Sequence, residues 1–133
     1  MGPKAIVLAC LLLASPAACG TADRQRDAAA VTERFHAALE ADDGQAACQE
    51  LSEETASKLE QEEKKPCDEA ILELDLPKGG TVAVRRVSVR SALMQLAEGG
   101  ADFLDEGPEG WKISAAGCEP TAAEQPYECE LEG

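Results

Sequence analysis

Six cysteines carry the most legible chemistry in this 133-residue chain. A thiol can pair, ligate a metal or attack an electrophile, and its neighbours decide which. No CxxC occurs, and the single histidine, His36, is remote in sequence from every cysteine, so metal ligation is not expected. Cys10 lies inside an apolar N-terminal run and Cys19 follows it, which leaves Cys48, Cys67, Cys118 and Cys129, enough for two disulfides. Four cysteines allow three connectivities. Cys48 and Cys67 each fall on the apolar face of a helical segment, which favours Cys48–Cys67; Cys118 would then pin the tail beneath the last strand through Cys129. Loops of this length contribute about 3 kcal/mol each by restricting the unfolded chain.

Other reactive side chains form no constellation. His36 flanks the apolar stripe of the first helix and is either a base at a cavity mouth or a half-exposed helix residue. Asp102 and Asp105 border Phe103 on a strand, pointing away from it or at its edge, and Tyr127 belongs to the tail. An aspartate base with a tyrosine oxyanion partner is therefore not assembled. Glu53, Glu54, Glu60, Glu62 and Glu63 spread around a helix axis as a solvated face, whereas calcium wants oxygens converging on one loop. Arg85, Arg86 and Arg90 cluster in an acidic chain; with Val87 and Val89 inward, Arg86, Ser88 and Arg90 line the outer sheet face. That strip is a candidate contact for an acidic partner or for the domain's own helix. No catalytic site, cofactor or metal is expected.

The elements that must position these residues begin after an export signal. Ala5–Ala14 is apolar but far short of the roughly 20 residues that span a bilayer, and with Lys4 before it and small residues after it reads as a signal peptide over residues 1–18. Pro16-Ala17-Ala18-Cys19 resembles the lipobox of bacterial lipoproteins, with Pro16 where an aliphatic residue is usual. The resemblance implies a diacylated Cys19; two acyl chains suffice for stable anchoring. The other reading takes Ser15 and Ala17 as an ordinary cleavage signal and makes the protein secreted with Cys19 as a free thiol. Both place the mature chain outside the cytoplasm, where disulfides persist. Its formal net charge of −14, one unit more negative once Lys4 is gone, repels nucleic acid and anionic head groups.

Residues 19–27 read as a polar tether and residues 28–133 as one domain. Val31, Phe35, Ala38 and Leu39 form a helical stripe. Gly44 suits a left-handed exit, Asp42 or Asp43 a cap, and Ala47, Cys48 and Leu51 the face of a second helix, continued by the Glu- and Lys-rich solvated segment 52–65. Pro66 restarts the chain as a further helix presenting Cys67, Ala70, Ile71 and Leu74. After Gly79-Gly80 the period becomes two: Val82 and Val84, then Val87 and Val89 with opposite parity, implying a bulge near Arg85-Arg86. Gly99-Gly100 reads as a two-residue hairpin loop setting Leu96 opposite Phe103, and an odd-length loop near Pro108 would pair Phe103 with Ile113. The acidic segment 119–133 reads as irregular apart from Cys129.

Three N-terminal helices followed by a curved antiparallel meander is the order of the nuclear transport factor 2-like fold. The chain resembles small lipoproteins of high-GC Gram-positive bacteria with that domain. Gln45-Ala46-Ala47-Cys48, Lys65-Pro66-Cys67, the run from Gly110-Trp111-Lys112-Ile113 to Gly117-Cys118-Glu119-Pro120, and the closing Pro126-Tyr127-Glu128-Cys129-Glu130-Leu131 carry the likeness. It implies an α+β cone-like domain at the cell envelope, without an assigned activity, whose outer sheet face often makes dimers. The expectation is a lipid-anchored, non-catalytic binding or scaffolding domain, with a protein partner or a second copy on the outer sheet face. The alternative is a small-molecule pocket protein or an isomerase- or cyclase-like enzyme using the cone.

Overall fold

Helix α1 spans Cys19–Glu40 in the computed structural model, which describes residue 2 and residues 19–122 and 126–133. The cleavage motif Pro16-Ala17-Ala18 and the body of the signal segment lie outside the described residues. The expected tether is helical instead. Its polar residues have partners on the sheet: Arg24 Nη2 donates to the Val89 carbonyl (2.7 Å) and to Glu106 Oε2 (2.6 Å), its guanidinium stands 5.3 Å from the centre of the Trp111 ring, and Gln25 Nε2 donates to the Arg85 carbonyl (3.4 Å). A helix nucleated by the apolar stripe propagates at little cost, and these contacts hold its first turns. The stripe itself is buried through Ala28, Val31, Thr32, Phe35, His36 and Leu39.

Four helices form, not three: α2 (Gly44–Glu50), α3 (Glu53–Glu63) and α4 (Cys67–Glu73) follow α1. The exit from α1 is made by Asp42 at φ 53° rather than by Gly44. Gly44 opens α2, where a Cβ would collide with the Asp68 backbone carbonyl; the glycine serves close approach of α2 to α4. Asp43 caps α2 by accepting from the Ala46 amide (3.0 Å). The extra break falls at Leu51 and Ser52. Leu51 bridges to Ile113, the Ser52 amide donates to the Ile113 carbonyl (2.9 Å), and the Ser52 hydroxyl accepts from the Thr55 amide (3.1 Å) to cap α3. A sheet contact thus interrupts what periodicity alone would continue.

Five strands, β1 (Val82–Val87), β2 (Ser91–Leu96), β3 (Ala101–Gly107), β4 (Gly110–Pro120) and β5 (Tyr127–Glu132), make one antiparallel meander in chain order. Its bulge in β1 lies between Val82 and Val84, not near Arg85-Arg86. Strand β1 ends at Val87, and Val89, expected inward, is 82% exposed in the turn to β2. Both later registers differ from expectation. The glycine turn is longer than two residues, with the Leu96 amide on the Gly100 carbonyl (3.0 Å), so Leu93 faces Phe103 and Met94 faces Asp102. The Pro108-Glu109 loop is two residues, pairing Gly107 with Gly110 and Leu104 with Ile113. Leu104, not Phe103, is the inward residue, so the even loop wastes no apolar match. The end of the chain is a strand and not irregular: β5 pairs with β4, and Leu131 is buried opposite Ala116.

The helices and the inner sheet face enclose one core, centred on Phe35, Leu59, Ile71, Met94, Leu104 and Ile113. The opposite sheet face carries a smaller cluster in which Leu93, Phe103 and Tyr127 are half-buried around Ala101, Ala115 and Cys118. The expected disulfides are both present. Cys48–Cys67 ties α2 to α4 with Cα atoms 6.2 Å apart, and Cys118–Cys129 joins directly opposed residues of β4 and β5. The fold is α+β with two crosslinks.

Candidate functional site

His36 and Asp102 are the reactive side chains that the fold brings together. His36 lies on the buried stripe of α1, and the β2–β3 register turns Asp102 to the inner face opposite Met94. Both are fully buried, with His36 Nε2 2.6 Å from Asp102 Oδ2. His36 Nδ1 lies 2.6 Å from the Pro77 carbonyl, which only accepts, so Nδ1 carries a proton. Asp102 Oδ1 accepts from the Gly117 amide (3.2 Å), and the His36 carbonyl accepts from the Gly79 amide (2.8 Å). Burial pulls the imidazole toward its neutral form; the hydrogen bond and charge of Asp102, with the Pro77 carbonyl, outweigh it and raise the His36 pKa above its ordinary value. The Phe35 ring stands edge-on, 5.0 Å away.

In this geometry the histidine serves as a clamp. A general base needs a free lone pair within reach of a substrate proton, whereas both ring nitrogens here are occupied and the side chain has no exposed surface. The pair binds α1, the Pro77–Gly79 linker and strands β3 and β4 through one network. His36 is therefore neither half-exposed nor at a cavity mouth. Two clues for the pair stood in the sequence: an aspartate within the apolar run Ala101–Leu104, and a histidine four residues after Thr32 on an apolar stripe. Buried polar groups need partners, and these two are each other's simplest solution.

The remaining candidates stay apart. Asp105 is exposed and faces Lys112 across the β3–β4 ladder. Glu53, Glu54, Glu62 and Glu63 are exposed on α3, while Glu60 accepts from the Cys67 amide (2.9 Å) at the start of α4. Among the described residues no group of three or more His, Cys, Asp and Glu is placed to hold a metal. Tyr127 packs edge-on against Phe103 with ring centres 5.3 Å apart, outside the core. Arg86 and Ser88 edge a shallow hollow of about 200 Å³ on the outer face floored by Leu93 and Phe103. Arg90 lies in the β1–β2 turn rather than on a strand, its guanidinium on the Glu106 carbonyl (3.3 Å). The strip of Arg86, Ser88 and Arg90 is thus one edge of the sheet and its turn, not one continuous strand face.

No helix among the described residues is long and apolar enough to cross a membrane. No family model matches the chain, and no curated protein or solved structure matches it.

Proposed function

We propose that the chain is an exported lipoprotein, held at the extracytoplasmic face of the membrane through Cys19, whose nuclear transport factor 2-like domain binds or scaffolds without catalysis. The observation that carries this reading is the interior. Six large apolar side chains, Phe35, Leu59, Ile71, Met94, Leu104 and Ile113, fill it, and the one histidine and its aspartate are consumed by each other. A pocket enzyme on this architecture needs reactive groups open to an apolar cavity, and here they have no exposed surface.

The two disulfides support the compartment, since such crosslinks persist where thiols are not kept reduced. The cleavage motif before Cys19 supports the anchor. Intact mass of the mature protein from its native host, with and without reductant, tests the reading. The expected species begins at Cys19, carries diacylglycerol mass, and gains four hydrogens on reduction of two disulfides. A mature form beginning at Ala18 without acyl mass would leave a secreted protein in place of an anchored one.

A further inference from the structure

Five of the six arginines, Arg24, Arg26, Arg85, Arg86 and Arg90, belong to α1's first turns and to β1 with its turn. The fold gathers these segments at one end of the molecule. Arg24 lies about 7 Å along the helix axis from Cys19 at 1.5 Å per residue, and its guanidinium grips the Val89 carbonyl in the β1–β2 turn. Gln25 reaches the Arg85 carbonyl beside it. The turn itself is tight, closed by the Ser88 amide on the Ser91 carbonyl (2.8 Å), and it presents Val89 at 82% exposure. An exposed valine beside Arg90 therefore stands against the second turn of the helix that begins at Cys19.

The charges at this end are not all neutralised. Arg24 pairs with Glu106 and Arg26 with Asp23. Arg85, Arg86 and Arg90 are exposed and have no carboxylate within ion-pair distance among the described residues. Asp27 lies on the same helix turns, and Asp105 faces Ser91 across the β2–β3 ladder, so this end is near neutral overall. The rest of the surface carries the chain's large negative charge. Screening confines these fields to about 8 Å at physiological ionic strength, so a surface at the turn meets Arg86 and Arg90, with Asp105 behind them, and little of the chain's distant negative charge.

We propose that the β1–β2 turn, with Arg86 and Arg90 around Val89, docks on the anionic head groups of the bilayer that holds the lipid anchor. The proposal rests on the anchored reading of Cys19. Arginine is suited to lipid phosphate because its guanidinium meets phosphate oxygens with paired donors. Because α1 starts at Cys19, helix and not flexible linker connects anchor and domain. The lipid brings the turn to the surface, and the turn fixes which face of the domain looks outward: α3 and its glutamates pack on α4, β4 and β5 and not on β1.

The test is hydrogen exchange on the mature acylated protein in vesicles of phosphatidylcholine alone or with phosphatidylglycerol. Each arginine near an anionic surface changes a docked-to-undocked ratio by about fivefold, and two together by about 25-fold. Amides of residues 85–91 are expected to slow on phosphatidylglycerol vesicles only. Protection should vanish in the double variant R86S/R90S, in Val89→Glu, and at about 1 M salt, where the screening length falls to about 3 Å. Equal exchange on both vesicle types overturns the docking while leaving the anchor intact. Protection that appears only when native membrane proteins are added assigns the turn to a protein partner and also overturns it. A chain that carries no acyl mass and floats with neither vesicle overturns the anchor, and the docking with it.

Discussion

Removing Asp102 should cost more than any other single polar deletion in this protein. In Asp102→Ala, His36 Nε2 loses its partner in the core and the Gly117 amide loses the Oδ1 acceptor. Deleting one member of a buried pair typically costs about 3–5 kcal/mol because the other is left uncompensated. Asp102→Asn should be milder, at about 1–2 kcal/mol: the amide can donate to a neutral Nε2 while its oxygen keeps the Gly117 amide. The two variants should also differ from wild type in pH response. The folded pKa of His36 is raised above the unfolded value of about 6.5, so the pair's contribution is complete below about pH 6.5 and is lost as pH rises through the folded pKa. Asparagine removes that raising influence, so the fall in stability toward alkaline pH should flatten in Asp102→Asn. The chain has one histidine, so a slope above about pH 6.5 that differs between wild type and Asp102→Asn reports on that group. Urea melts at several pH values in this range supply both numbers. An Asp102→Ala cost below about 1 kcal/mol, as for an exposed pair, or slopes identical in wild type and Asp102→Asn, would refute the reasoning.

Three further outcomes follow from the packing. Replacing either disulfide by paired serines should lower stability by about 3 kcal/mol, with the 19-residue span of Cys48–Cys67 costing slightly more than the 11-residue span of Cys118–Cys129, read from denaturant melts. Gly44→Ala should cost at least about 1–3 kcal/mol, because its methyl group must displace the Asp68 backbone and with it α4; near-equal melts would contradict the close approach. Arg24→Ala should free the first turns of α1, raising amide exchange over residues 20–26 while leaving the core unchanged, at a cost of about 1 kcal/mol from the lost Trp111 and Glu106 contacts.

The sequence was legible where a local rule and the tertiary structure agree. Cysteines on two apolar helix faces and at a strand end did pair as those faces suggested, and the change of period after Gly79-Gly80 did mark the start of the sheet. It misled where long-range contacts decide. A strand pattern with an apolar residue at both parities, Leu93 with Met94 and Phe103 with Leu104, supports two registers equally well, and only burial selects one. That choice carries Asp102 from the outside to the core, so an error of register concealed the His36 pair. The polar residues 19–27 read as solvent-facing because their partners Trp111, Glu106 and Val89 are distant in sequence. The tail read as irregular because Glu128, Glu130 and Glu132 masked the alternation of Tyr127, Cys129 and Leu131.

The central claim is that the lone histidine is a sealed structural clamp. Long-range proton–nitrogen correlation of the His36 ring, followed through a pH titration, examines it directly. The account predicts a proton kept on Nδ1, a titration midpoint above the ordinary imidazole value, and ring protons exchanging slowly with solvent, with no change when small molecules are added. A ring with Nδ1 bare, exchanging freely and titrating near the ordinary value of about 6.5, would contradict it.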